Sequence, residues 1–231
     1  MKDGRQGSRG TQGGGSRRRA PDVRLEALVD ENQALLRLLC DEIGDLDVDG
    51  YVAEADGLAG MSIGRHCRHV GEHYDVLLAS IEAAIEASPV DAKTSARAPH
   101  ASEEGAAAAG GGMGSVATAD AILDYDARRR CARFETSPAF AIERLASIAE
   151  ALEALRARPA DLPLAMRARM DSANDAAVAT ATTLGRELVF LVSHTVHHGA
   201  LIALLLARGG RTPDPRLWIA ASTRMATAPS A

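Results

Sequence analysis

The segment 184–208 constrains the fold of this chain more than any other part of the sequence. It reads LGRELVFLVSHTVHHGALIALLLAR, follows Thr182 and Thr183 as possible N-caps, and is stopped by Gly209 and Gly210. On a helix its apolar side chains would point in nearly every direction. Such a helix must be covered on several sides. We therefore expect it to be the central helix of a bundle.

Three further segments have apolar residues at helical spacing and can supply that cover. They span residues 22–43, 62–87 and 138–157. Asp22 and Ser62 can cap the first two, and Ser137 followed by Pro138 is typical of a helix start. Aromatic residues make up only 3% of the chain, so the core must be largely aliphatic. Four long helices around one core predict an all-α, four-helix-bundle fold.

The connecting segments are shorter and less regular. Residues 44–60 are acidic and punctuated by glycine, which favours a loop, and 126–130 favours a short helix. From residue 164 to 171 apolar and polar residues alternate with a period of two, which is typical of a strand. A turn at 172–175 and a return strand at 176–180 would complete a short β-hairpin before the last long helix.

Two segments have compositions that do not favour packing. Residues 1–20 contain mostly Gly, Arg, Ser and Gln, and 88–118 is rich in Ala, Gly and Ser without periodicity. We expect a disordered tail at 1–20 and a single helical domain over 21–231 that carries a flexible insertion at 88–118. The Arg-rich tail leaves organelle targeting open as an alternative to a cytoplasmic location.

Charge and cysteine content exclude several classes of protein. The net charge is −5 and no basic stripe is interleaved with aromatics, so we expect no nucleic-acid partner. The three cysteines form no CxxC pair and no even disulfide framework, which favours a reducing compartment such as the cytoplasm. No uninterrupted apolar run has the length of a membrane span, so we expect no membrane partner.

Six of the seven histidines fall in two clusters on predicted helices. The clusters are His66, His69 and His73, and His194, His197 and His198. Positions three, four and seven apart share one helix face, so the first cluster points one way. His194 and His198 have the i, i+4 spacing that lets two imidazoles bind one ion, and a facing helix can supply a third. Three imidazoles leave a coordination position open for water or substrate.

The alternative is that these histidines hydrogen-bond to one another or face solvent. His73 and His197 are either partners of the metal ligands or ordinary core and surface histidines. Glu187 lies on the His194 face and would either accept a hydrogen bond there or stabilise the helix N-terminus. Asp124, Tyr125 and Asp126 either line the mouth of the site or form a structural turn. Cys67 points away from the histidines, into the core.

Four stretches of the sequence resemble the DinB/YfiT-like family of metal-dependent proteins. They are SIGRHCRHVGEHYDVLL (62–78), LDYDARRRCARFET (123–136), LGRELVFLVSHTVHHGALIALLL (184–206) and IAASTRMA (219–226). The last resembles the family's C-terminal APSTLR-like ending, with Ala221 where proline is expected. The first and third stretches are specific only in combination.

The resemblance implies an up-down-down-up four-helix bundle and a metal triad made of one histidine from the second helix and an HxxxH pair from the last. Carried over residue by residue, the triad is His69, His194 and His198, with His66 as an alternative to His69 because both share a face. The ion is one divalent metal, and zinc, nickel, iron and manganese all remain candidates. No residue is assigned a catalytic role, and no organic cofactor is expected.

Two functions of different classes follow. Relatives in the family include transferases and isomerases that use low-molecular-weight thiols, so the resemblance implies a metal-dependent thiol S-transferase or hydrolase acting on a small thiol or electrophile. The alternative is a non-catalytic bundle that binds a structural ion or forms a homodimer. An open three-histidine site favours the enzyme, and a fourth protein ligand would favour the structural role.

Deleting residues 90–116 and joining the ends with a short linker should leave the melting temperature nearly unchanged, because long flexible loops carry little closure cost. Thermal unfolding followed by circular dichroism measures the effect. The control replaces the same residues with a Gly/Ser linker of equal length. A fall of many degrees in the deletion variant alone would show that the segment packs against the domain.

Overall fold

The computed structural model of the chain describes residues 23–55, 60–86, 122–169 and 177–227. The α-helices are α1 (Val23–Ile43), α2 (Val48–Val52), α3 (Ile63–Glu86), α4 (Ala132–Thr136), α5 (Pro138–Ala151), α6 (Leu184–Arg208) and α7 (Ala221–Thr227). The strands are β1 (Ile122–Leu123), β2 (Pro163–Arg169) and β3 (Ala177–Thr183). Single 3₁₀ segments span Tyr125–Ala127, Leu152–Ala157 and Pro215–Leu217. The predicted tail at 1–20 and insertion at 88–118 lie outside the described residues and stay predictions.

The four predicted long helices are present, with ends close to those expected. The backbone N–H of Phe140 donates to the Ser137 hydroxyl at 3.3 Å, so the serine caps α5 as its sequence predicts. Thr183 caps α6 in the same way. The third long helix ends in a 3₁₀ segment, Leu152–Ala157, in place of regular α-helix. The predicted cap Asp22 lies outside the described residues.

A mostly aliphatic core holds the long helices together. Helix α1 packs against α5 and α6, and α3 packs against the same two helices. Within the core a polar link joins three of them: the Tyr74 hydroxyl donates to Asn32 Oδ1 at 2.7 Å and lies 3.0 Å from Thr195 Oγ1. The Asn32 amide also donates to the Leu188 carbonyl at 3.2 Å. This link joins α1, α3 and α6 at their buried faces.

A small sheet covers part of the domain, so the fold is mostly helical and not strictly all-α. Strands β2 and β3 form the predicted antiparallel hairpin, and the expected turn at 172–175 lies outside the described residues. Strand β1 was not predicted; it pairs in parallel with β2, giving the order β1-β2-β3. Two residues show too little alternation to be identified from sequence. Strand β3 ends at Thr183 and α6 begins at the next residue.

Two local predictions were wrong. The segment 44–60 was expected to be a loop, yet it contains α2, whose first turn is capped by Asp47 Oδ1 accepting from the Gly50 N–H at 2.8 Å. The segment 126–130 was expected to be helical. It holds only the end of a 3₁₀ turn, and the backbone then reaches a left-handed φ of 49° at Arg130 before α4 begins. Arg128, Arg129 and Arg130 have good helix propensity, but no side chain next to them caps a helix.

The expectation that no segment of the chain is apolar enough to span a membrane needs a correction at helix α6. By length and composition it is apolar enough to cross a membrane, although no uninterrupted apolar run in the sequence is that long. One such helix is weak evidence for a membrane span, because the central helix of a soluble bundle has the same composition. Helix α6 packs against α1 and α3, but it is not covered on every side as a central helix would be, since Val189 is 50% and Leu204 64% exposed.

Gly64 permits a close approach between α3 and α4. A Cβ there would lie 2.0 Å from the Glu135 carbonyl oxygen and 2.8 Å from the Tyr51 ring. Gly64→Ala should therefore lower the free energy of unfolding by about 1–3 kcal/mol, because backbone must move despite the better helix propensity of alanine. Urea unfolding measures this change.

The matched control is Gly209→Ala at the end of α6, where the nearest atom to a new Cβ is 3.3 Å away. We expect that variant to stay within about 0.5 kcal/mol of the parent. Equal stability of the two variants would contradict the proposed close approach.

Candidate metal centre

Helices α3 and α6 bring five histidine rings together where the two helices pack against each other. The His69 ring centroid lies 4.9 Å from that of His194 and 4.5 Å from that of His198. The His194 and His198 centroids are 4.5 Å apart, as their i, i+4 spacing predicts. His73 and His66 flank this group on opposite sides. The helical periodicity read from the sequence thus places the α3 cluster opposite His194 and His198 of α6.

One set of three nitrogens is especially compact. His69, His73 and His194 each offer a ring nitrogen, and these atoms all lie within 4.8 Å of one another. The His73 centroid lies 4.4 Å from that of His69 and 4.1 Å from that of His194. This compact set shares two residues with the predicted triad and replaces His198 by His73. The assignment of the triad to His69, His194 and His198 stays a prediction.

His198 has a hydrogen-bonding partner that the sequence did not identify. Its Nδ1 lies 3.0 Å from Nδ1 of His66, so one of these two nitrogens carries the shared proton. His66 therefore contacts the group from the side, 5.2 Å from His198 between ring centroids. The remaining histidine of the α6 cluster, His197, is exposed and touches the ring of His198 edge-on.

His73 is fixed at both of its ring nitrogens. Its Nδ1 lies 2.7 Å from the His69 carbonyl oxygen, which can only accept, so Nδ1 carries the proton. In the neutral ring Nε2 then has the free lone pair, and it faces Arg128 Nη1 at 3.3 Å. His73 can act as a metal ligand only if its Nε2 leaves Arg128.

Two buried ring nitrogens of the group have no hydrogen-bond partner among the described residues. They are Nε2 of His194 and Nε2 of His66. A buried polar atom without a partner costs about 1–3 kcal/mol, so it calls for an explanation. For His194, whose ring centroid lies 4.1–4.9 Å from those of His69, His73 and His198, a bound cation supplies one. The donor set of neutral imidazoles fits a divalent first-row metal ion.

Burial keeps these imidazoles neutral. It lowers the pKa of His69 to about 2 and that of His194 to about 3, with smaller contributions from neighbouring histidines and Arg128. Burial likewise lowers the pKa of His73 and of His198 to about 4. The neutral ring is the form that binds metal, so protons compete weakly for the site at pH 7.

The neighbours named from the sequence have distinct places. The Tyr125 ring stacks on His73 with centroids 5.0 Å apart, and its hydroxyl donates to Glu187 Oε2 at 2.9 Å. Glu187 is fully buried in the first turn of α6 and also accepts from Thr182. Tyr125 therefore joins the buried Glu187 to the histidine group.

Asp124 is part of the structural turn. One of its carboxylate oxygens accepts from the N–H groups of Asp126 and Ala127, and the other is 2.7 Å from Arg167. Asp126 accepts from the Arg169 N–H and is exposed. Cys67 is buried in the core, as its helical position predicts, and burial raises the pKa of its thiol to about 12.

Arg128 is the residue beside the histidines that the sequence analysis missed. It lies between the 3₁₀ turn Tyr125–Ala127 and α4, and it also donates to the Tyr125 carbonyl. The stretch 123–136 was recognised as a motif, but three adjacent arginines gave no sign of which one turns inward.

The metal-free protein should lose stability as the pH falls from about 7 to about 4.5. The folded histidines have pKa values below the roughly 6.5 of the unfolded chain, so in this window the unfolded state binds more protons. The measurement is the melting temperature of chelator-treated protein across this pH range. His69→Gln and His194→Gln should flatten the dependence, whereas His197→Gln at the exposed neighbour should not. Parallel curves for all variants would contradict the assigned cause.

Comparison with known proteins places the chain in a family. The profile of the DinB superfamily matches residues 24–202, a range that includes α3, α5, all of α1 but its first residue, and all six clustered histidines. No curated protein and no solved structure matches the chain significantly. Since the match covers most of the sequence, the chain belongs to the DinB superfamily.

Proposed function

We propose that this chain binds one divalent metal ion through His69, His194 and His198 and acts as a metal-dependent enzyme, a thiol S-transferase or a hydrolase. The observation that carries the proposal is the unpartnered, buried Nε2 of His194 among neutral imidazoles from two helices. When bound, such an ion acts as a Lewis acid or lowers the pKa of a coordinated water or thiol.

The residues around the triad have positioning roles in this proposal. For His198 to bind through Nε2, its Nδ1 must carry the proton and donate it to Nδ1 of His66, 3.0 Å away. A ligand histidine usually donates its second N–H to a partner that fixes the ring and its tautomer. His66 would thus orient His198 without binding the ion.

The proposal includes the up-down-down-up order of a four-helix bundle, formed by α1, α3, α5 and α6. Family membership supports it, as does the packing of α1 and α3 against the same pair of helices. In this arrangement the α3 and α6 faces that carry histidine look into the bundle.

A second function has one observation in its favour. One ring nitrogen of His73 lies within 4.8 Å of ring nitrogens of His69 and His194, so His73 would add a fourth imidazole to the proposed triad. Four protein ligands close a metal site and are typical of structural ions. In that case the chain would be a non-catalytic metal-binding or dimerising bundle. The contact of His73 Nε2 with Arg128 favours the open, three-histidine site.

The test is metal stoichiometry in single alanine variants, measured by elemental analysis after dialysis against zinc or nickel. The protein should hold one equivalent, and His69→Ala, His194→Ala and His198→Ala should each lose it while remaining folded. His197→Ala is the matched control and should retain the ion, because His197 is exposed.

His73→Ala separates the two possible triads. Retention of the ion in His73→Ala with loss in His198→Ala supports the proposed ligands. The reverse result assigns the ligands to His69, His73 and His194, and loss in both indicates a closed four-histidine site. The loaded protein is then screened for transfer of small thiols to electrophiles. Full metal occupancy without turnover across the screen would favour the structural role.

A further inference from the structure

Arg128 is a mostly buried cation at the edge of the histidine group. Its side chain is 16% exposed, and its Nη1 atom lies 3.3 Å from His73 Nε2. Among the described residues it is the one arginine with a hydrogen bond to a histidine of the group. The placement is costly, because a buried charge needs a partner of opposite sign.

The carboxylates near Arg128 satisfy that need only in part. Glu72 Oε2 lies 3.9 Å from Arg128 Nε, but the same oxygen is only 2.9 Å from Arg68 Nη1. The other Glu72 oxygen accepts from the Cys131 N–H at 2.7 Å. Asp126 is exposed and accepts from a backbone N–H of β2. Arg128 Nε is buried and has no hydrogen-bond acceptor among the described residues.

The field at the site reinforces this imbalance. Burial lowers the pKa of Arg128, and the positive charge of Arg128 in turn lowers the pKa of His69 and His194. A divalent ion held by these imidazoles would place a second positive charge beside the guanidinium. Two positive charges held in one mostly buried site repel each other, and an anion between them would offset that repulsion.

We propose that Arg128 is the anion-recognition residue of this site, and that the substrate carries a carboxylate that lies between the guanidinium and the metal ion. The planar guanidinium can donate two parallel hydrogen bonds to a carboxylate. Binding would replace the weak 3.3 Å contact with His73 and give the guanidinium a partner of opposite charge. This inference rests on the proposed metal site and narrows its substrate to an anionic small molecule.

The experiment uses the full chain loaded with cobalt(II), whose visible spectrum reports binding at the metal. Acetate and acetamide are titrated as a matched pair of similar shape that differ in charge. Acetate should bind at least about tenfold more tightly than acetamide, and Arg128→Gln should weaken acetate binding by at least about tenfold. The control Arg129→Gln removes the same charge from an exposed neighbour and should bind acetate like the parent.

Metal content, measured first, separates this inference from the proposal on which it rests. A chain that holds no cobalt refutes the metal site. A loaded chain that binds acetate and acetamide equally, or Arg128→Gln with unchanged acetate affinity, refutes the role of Arg128 alone. If Arg128→Gln does not fold, Arg128→Lys takes its place, since it keeps the charge and loses the planar pair of donors. Unchanged acetate affinity in the lysine variant would also overturn the proposal.

Discussion

The arrangement of this domain depends on one buried polar link, formed by Asn32, Tyr74 and Thr195. The tyrosine hydroxyl contacts both partners, and the asparagine amide reaches the Leu188 carbonyl, so α1, α3 and α6 are joined at fixed positions along their lengths. Aliphatic side chains can pack in several rotational settings, whereas buried hydrogen bonds tolerate few. Because Thr195 follows His194 directly, the same link sets where the histidines of α6 face α3.

Placing neutral imidazoles in this interior has an energetic consequence. Their low pKa values favour metal binding, yet the unpartnered nitrogens and the incompletely paired Arg128 make the metal-free interior costly. An ion bound by His194, together with an anionic group at Arg128, would offset part of both costs. The neutral imidazoles lack a cation and the guanidinium lacks an anion, so the metal site and Arg128 are best considered together.

The sequence predicted the fold where periodicity is long and marked by caps, as in α6 with Thr183 or the helix start at Ser137. It did not reveal α2, which depends on the single cap Asp47, or β1, which is two residues long. For the site, helical spacing identified both histidine faces. Which nitrogens meet depends on side-chain rotation and on partners from other segments, such as Arg128 on His73, and no spacing rule contains that information.

Strand β3 runs directly into α6, and this restricts where residues can be inserted or deleted in the chain. Thr183 is both the last residue of the strand and the cap of the helix, so no linker separates them. One inserted residue there would turn α6 by about 100° against the hairpin, and either the strand register or the direction of the histidines would be lost. Among relatives, insertions and deletions should therefore occur between β2 and β3 and be absent between β3 and α6.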